Sequence, residues 1–313
     1  MDRYKLKNRI VNAAGRRADK AVRKFRRRNR GLGQVLGQVL RCLLLGAAGL
    51  LFAAPVFLLV SGSLMSRWEL GEYLGALESG EGFIRWAWFP MYPTFSHYAR
   101  LLFETPQFFT VFWNSMKIAV CSVGGQLLLA VPAAWAFAVY RFPMRKLLFT
   151  LYVVLMPLPF QVTMLSSYLV LNDLKLVNTH WAVILPAACS TYPVFLIYRS
   201  FSGIPGALLD AARIDGAGEW RIFRKIGLPL ASNGILSAVV LGFLEYWSLI
   251  EQPLAFLKDQ PLWPLSLYLP EISLGQAGYS FAASVITLIP PAFVFFIGQD
   301  YLEKGIAASG LKE

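Results

Sequence analysis

Charge, histidine and cysteine are all scarce in this chain, and each shortage removes a class of function. Charged residues make up 15% of the 313 positions and hydrophobic residues 56%. That balance is too apolar for an ordinary globular domain and suits a polytopic membrane protein. The two histidines, His97 and His180, have no catalytic or metal-ligand spacing and are expected in loops outside the apolar runs. No Gly-Lys dipeptide occurs, which excludes a Gly-x-x-x-x-Gly-Lys-Ser/Thr phosphate loop, so the chain is not itself an ATPase. Gly216-x-Gly218 lacks the rest of a dinucleotide fingerprint and follows no strand. The three cysteines, Cys42, Cys121 and Cys189, fall in or beside apolar runs without paired or metal spacing. They are expected as small buried residues. No cluster of polar groups suggests an enzyme.

Long apolar runs are abundant. A membrane-spanning helix needs roughly 20 predominantly apolar residues, and six such runs occur: 43–64, 118–138, 147–169, 181–201, 228–250 and 279–298. The bases between them set an orientation, because Lys and Arg are retained on the cytoplasmic side. The leading 41 residues carry 14, the loop 141–146 carries 3, the loop 199–225 carries 5 and the tail after Gly298 carries 2, in all 24. The opposite loops carry Arg67, Arg85, Arg100, Lys175 and Lys258, and Lys117 sits at the outer mouth of span two. The expectation is an all-α protein of six transmembrane helices, with both termini in the cytoplasm.

The leading basic run, KNRIVNAAGRRADKAVRKFRRRNR, admits three readings: a nucleic-acid arm, a surface-lying helix or the topology determinant of span one. The last two are preferred, since polybasic segments beside a span are drawn to anionic inner-leaflet lipid, and nucleic acid is not an expected partner. A cleaved signal peptide does not fit, because the basic region is too long and the next apolar run is long enough to span. The chain is parsed as a basic arm, 1–41, and one membrane domain, 42–313. The aromatic-rich segment 66–110 is expected at the outer face, against the interface or as a small cap. Pro132, Pro157, Pro159, Pro186, Pro193, Pro290 and Pro291 interrupt the spans and suit a bundle that moves.

Between spans four and five lies IPGALLDAARIDGAGEWRIFRKIGLPL. Pro205 is a start signal for a short helix through about Ile214, Gly216 and Gly218 break it, and 219–226 reads as a second short helix ended near Pro229. Leu208, Ala211, Ala212 and Asp215 fall on one small-residue face at i, i+3, i+4 and i+7. Phe223 and Ile226 offer apolar contacts, and Arg213, Arg221, Arg224 and Lys225 offer charge to a hydrophilic partner or to lipid headgroups. The pattern fits a projecting pair of helices and equally an ordinary basic hairpin.

Asp210-Ala211-Ala212, then Gly216, then Ile226-Gly227-Leu228-Pro229 resembles the EAA loop of ABC importer permeases, and AARIDGAGEWRIFRKIGLPL is similar to its version in the maltose-type, MalG-like, carbohydrate permeases. Asp210 stands where Glu is usual. PTFSHYARLL, NSMKIAV, AFAVYRFPMRKLLF and PLPFQVTMLSSYLVLNDLKLVNTHWAVILP resemble other stretches of that family in the same order, so the likeness runs from about Pro93 to the C-terminus.

The resemblance implies a type I importer permease fold whose loop, about 205–230, carries cytoplasmic coupling helices seated in a groove of an ATPase subunit. Asp210, Ala211, Ala212, Gly216, Ile226, Leu228 and Pro229 would couple to that ATPase. The implied partners are a second permease, two copies of the ATPase, an extracytoplasmic solute-binding protein and the lipid bilayer of a bacterial inner membrane. ATP and magnesium would be held by the ATPase, so no cofactor is expected in this chain.

Glu245, an ionisable residue within a span, and Trp247, suited to stacking on a sugar, are candidates for the solute path, and equally fit a structural carboxylate and a packing aromatic. The chain departs from the family's Trp-Asn-acid-Phe pattern there, having Trp247-Ser248-Leu249-Ile250. The implied cargo is a sugar or oligosaccharide, and a glycerol-phosphate ester is the nearby alternative. Anionic cargo would favour bases along the path, and the spans contain almost none. A proton-coupled secondary carrier relayed by Glu245 is the reading from a different class.

Overall fold

A computed structural model of the chain describes residues 37–79, 87–268 and 276–310, the side chains of 76–79 and 304–310 excepted. Most of the basic arm therefore lies outside the described residues. Among those described, every regular element is helical. Contacts divide the chain into Met1–Leu58 and Leu59–Glu313. The first unit holds most of α1, Gly37–Leu64, whose most apolar window buries no side chain within the chain.

The second unit begins with the end of α1 and continues through α2, Arg67–Ser79. Ser66 and Glu69 start α2 as a reciprocal cap: the Glu69 N–H donates to Ser66 Oγ at 3.3 Å, and the Ser66 N–H donates to Glu69 Oε2 at 3.2 Å. Glu69 also accepts the N–H groups of Met91 and Tyr92, tying the aromatic segment back to α2. α3, Ser96–Ala99, runs into a π-helical turn, Arg100–Glu104.

α4, Pro106–Val139, starts on Pro106 and is 34 residues long, about 51 Å at 1.5 Å per residue. The apolar run predicted its start twelve residues later. Lys117 and the aromatics around it lower the local hydropathy without breaking the helix. Pro132 lies inside α4, and Pro290 and Pro291 inside α15, Ala277–Gly310; neither helix ends there. Pro157 and Pro159 do interrupt: α5, Arg145–Leu155, and α6, Phe160–Asp173, meet at 106°. α7, Trp181–Ala188, and α8, Tyr192–Ser202, separate at 189–191 but together make one span-length segment of 22 residues. Among the described residues, four helices are long and apolar enough to cross a membrane, or up to six if each bent pair counts as one span.

α4 is the central post. It packs on α7, α8 and α12, Ser232–Trp247, and α12 packs on α15. Small residues permit this closeness; a β-carbon on Gly125 would lie 2.7 Å from Ala188. One cluster gathers Phe108, Val111, Phe243, Trp247 and Tyr279, and a second, further along α4, gathers Ala134, Trp135, Ile197, Phe201 and Ile222.

One sequence expectation is corrected. Cys42, Cys121 and Cys189 are exposed rather than buried; a thiol is apolar enough for a lipid-facing surface. The histidines lie outside the apolar runs, as expected, and both are anchored to backbone carbonyls. His97 is buried in α3 with Nε2 3.0 Å from the Met65 carbonyl, and half-buried His180 stands at the start of α7, 3.1 Å from the Leu262 carbonyl. Burial foremost, with the nearby Arg67 and Arg100 at His97 and Lys117 at His180, pushes both imidazoles below their ordinary pKa. Each ring is then neutral at pH 7 and donates to its carbonyl.

Candidate functional site

The loop between α8 and α12 is built from α9, Gly206–Ile214, and a second helical stretch. Pro205 is extended and releases the chain into α9. The C-terminus of α9 is a Schellman cap. The Gly216 N–H donates to the Arg213 carbonyl and the Ala217 N–H to the Ala212 carbonyl, both at 3.0 Å. This closure needs a left-handed residue, and Gly216 has φ +80°. Gly216 is thus required by the turn.

α10, Glu219–Ile222, continues through a π-helical turn, Phe223–Gly227, and a last turn α11, Leu228–Leu230. The helix ends at Leu230, close to Pro229 as expected, and turns by 67° into α12.

Charge braces the loop. Arg213 donates through Nη1 to Asp210 Oδ1 at 2.9 Å and through Nε to Glu219 Oε1 at 2.8 Å, and the Tyr140 hydroxyl donates to Glu219 Oε2 at 3.1 Å. These hydrogen bonds, that to Glu219 foremost, raise the Arg213 pKa; the same guanidinium, with Tyr140, holds the Glu219 carboxyl below its ordinary value. Asp210 is therefore engaged within α9, with 69% of its side chain exposed.

The far end of the loop is seated on α4. Gly227 is buried, and a β-carbon there would lie 2.5 Å from the Trp135 ring. Trp135 stands edge-on to Phe201 at 5.1 Å and against Phe223 at 5.4 Å. Its buried Nε1–H finds no acceptor among the described residues. Half-buried Ile226 and Leu228 join the same cluster. Leu209 and Ala212 face it from α9, leaving Leu208, Ala211 and Asp215 outward. The single small-residue face read from the sequence is thus divided, with Ala212 turned inward. Phe223 is likewise turned inward, whereas Ile214 and Trp220 are 86% and 71% exposed.

Sequence reasoning missed Arg213 as a brace, together with Glu219, Tyr140 and Trp135. The i, i+3 spacing of Asp210 and Arg213 was a usable signal. The contacts to Glu219 and Trp135 cross a turn or separate elements and left no local signal.

The two solute-path candidates do not share a surface. Glu245 is exposed, with no side-chain hydrogen bond or ion pair among the described residues. Trp247 is 5% exposed, stacks on Phe243 at 5.6 Å, meets Phe112 edge-on and donates Nε1–H to the Thr287 carbonyl at 3.2 Å. Its faces are occupied by packing.

Residues 126–308 match the family described as binding-protein-dependent transport system inner membrane component. The arabinooligosaccharides transport system permease protein AraQ of Halalkalibacterium halodurans is 33% identical over 223 residues, 70% of this chain and 80% of that protein. The sn-glycerol-3-phosphate transport system permease protein UgpE of Brucella melitensis is 31% identical over 199 residues, 62% and 71% of the two chains. A solved bacterial ABC transporter, involved in the import of the acidic polysaccharide alginate, contains a chain with TM-score 0.72 at 22% identity, covering 85% of this chain and 96% of that one. This last likeness concerns the fold.

Proposed function

The chain belongs to the family of binding-protein-dependent transport system inner membrane components, and from that premise we propose that it is a permease subunit of an ATP-driven importer for a sugar or oligosaccharide. It pairs with a second permease, receives solute from an extracytoplasmic binding protein and is driven by two copies of an ATPase that hold the ATP and magnesium. The loop of α9 to α11 faces the cytoplasm of a bacterial cell, as do both termini, in keeping with the 24 bases on that side.

The observation that carries the reading is the loop's construction. Its inner side is packed on Trp135 and its backbone is closed by the Arg213 fork, while Ala211, Ile214 and Trp220 project outward. A braced loop that exposes a Trp and an Ile offers a rigid, partly apolar surface to a partner. Force applied there passes through Phe223, Gly227 and Trp135 into α4, and through Leu228 and Pro229 into α12. The two states of the bundle are biased by differential contacts with the ATPase. Asp210 contributes by holding Arg213.

The experiment is Ala211→Trp in the importer assembled from its cognate subunits. The site is helical and exposed, so the variant inserts normally, while close approach of the ATPase is blocked. Uptake and transport-coupled ATP hydrolysis are expected to fall about tenfold or more, the equivalent of roughly 1.4 kcal/mol of docking energy. Unchanged uptake with unchanged ATPase stimulation would remove the coupling assignment. The UgpE relatives, whose names specify sn-glycerol 3-phosphate, favour a second reading in which the machinery is the same and the cargo is anionic.

A further inference from the structure

Far from the coupling loop, the start of α15 packs against α2, α3 and the π-helical turn Arg100–Glu104. A cavity of about 200 Å³ lies where they meet. Arg67, Leu70 and Gly71 line it from one face of α2, at i, i+3 and i+4. His97 and Arg100 line it opposite, and the first turn of α15 closes it. Gly71 leaves the cavity its room, since a β-carbon there would meet nothing within 4 Å. Gly278 brings α15 flat onto His97, because a β-carbon there would press into the imidazole. That ring is neutral, with Nε2–H committed to the Met65 carbonyl.

The charge of the cavity has one sign. Arg67 and Arg100 are exposed at its mouth, and neither guanidinium has a hydrogen bond or ion pair with the described residues. No acid among the described residues lines it. Glu69 and Glu72 instead line the neighbouring groove against Met91 and Tyr92, where the N–H groups of those two residues hold Glu69. The 34-residue α15 adds the positive end of its dipole. Guanidinium groups bind phosphate through paired, charge-assisted hydrogen bonds. The space is smaller than the roughly 300–1,000 Å³ of pockets that enclose whole small-molecule ligands, so it takes a headgroup rather than an oligosaccharide.

We infer that this cavity binds the headgroup phosphate of an anionic phospholipid of the outer leaflet, gripped by Arg67 and Arg100. The rings beside those arginines in the chain name the source of the phosphate. Trp68 and Phe103 are 89% and 84% exposed, and aromatic side chains of this kind belong at the level of lipid headgroups. Dissolved phosphate would satisfy the arginines and leave both rings in water. A lipid satisfies the arginines with its headgroup and covers the rings with its neighbours. The bound lipid thereby ties α2 and the π-helical turn to the start of α15. The inference goes beyond cargo and coupling and takes only the leaflet from the orientation proposed above.

The test uses the importer purified with its cognate subunits and delipidated in detergent. It is titrated with phosphatidylglycerol, phosphatidylcholine or inorganic phosphate, and the bound molecules are counted by native mass spectrometry. Wild type is expected to retain one phosphatidylglycerol more than the Arg67→Ala/Arg100→Ala double variant. Gly71→Leu, which fills the cavity, keeps both bases and favours helix, should lose the same lipid. In both variants half-saturation of that lipid shifts upward by about tenfold or more. Phosphatidylcholine, whose choline offsets the phosphate charge, occupies the site about tenfold more weakly in wild type. Subunit co-purification persists, and if the double variant does not assemble, Gly71→Leu decides on the same count.

Equal retention of phosphatidylglycerol by wild type and Gly71→Leu overturns the inference. So does displacement of the lipid by excess inorganic phosphate, which assigns the cavity to a dissolved anion. Unchanged lipid retention with loss of binding-protein-stimulated ATP hydrolysis in the double variant assigns the arginines to the binding protein and likewise overturns it. Retention in detergent requires neither transport nor orientation, so its failure is distinct from a failure of the importer reading.

Discussion

A β-carbon on Gly227 would press into the Trp135 ring, whereas one on Gly216 would meet nothing within 4 Å. Gly227→Ala is accordingly an overpacking change, expected to cost about 1–3 kcal/mol and to lower the thermal midpoint of the purified importer. At Gly216 the cost is conformational, because φ is +80°. Gly216→Ala should cost about 1–2 kcal/mol and Gly216→Asn less, since Asn enters the left-handed region more readily. Equal losses for Ala and Asn would refute the conformational account. Glu69 carries a pH dependence. Burial raises its carboxyl pKa, but the N–H groups of Met91, Ser66 and Tyr92 lower it by more, leaving it below the ordinary 4.5. The folded state therefore binds fewer protons than the unfolded one. This stabilisation is complete above the ordinary value and is lost as pH falls through the lowered one. Hydrogen-exchange protection of the Met91 and Tyr92 amides should decay across that acid window, and Glu69→Gln should remove the dependence.

At the scale of elements, the hairpin of α9 and α10 is held by a guanidinium that reaches both helices. Exposed pairs of this kind add little to global stability, so their effect is local order. Arg213→Ala should leave insertion intact and raise the rate of protease cleavage within 214–219 in inside-out vesicles. Arg213→Lys should restore only part of the protection, because one ammonium cannot reproduce the fork. Cleavage at the wild-type rate in Arg213→Ala would sink this account. The helix pair itself was legible in the sequence: Pro205, Gly216 and Gly218 are local signals, and α9 ends at Ile214 as expected. The seat of its far end was not, because the approach of Gly227 to Trp135 depends on α4, far away in sequence. The 106° bend at 156–159 was announced by Pro157 and Pro159, but their effect could not be told from that of Pro132, which α4 carries without ending.

At the scale of the molecule, much apolar surface is left for others. α5 buries no residue and α6 buries only Leu171, and Val162, Leu165, Leu169 and Val170 are more than half exposed. Lipid is a natural occupant of such faces, as is the second permease proposed above. The chain alone, reconstituted in liposomes under a proton gradient, is expected to take up no solute, whereas an autonomous proton-coupled carrier would. Composition by itself determined the membrane class, because too few charges are present to cover a soluble surface. The placement of bases and the order of Asp210-Ala211-Ala212, Gly216 and Ile226 to Pro229 carried the family resemblance, since these are features read along the chain. Tertiary structure alone decided which polar groups meet: Arg213 with Glu219, and Gln161 with Glu251, ninety positions apart. Such pairs arise where separate elements are brought together by turns and packing, and no periodicity along either element encodes the meeting.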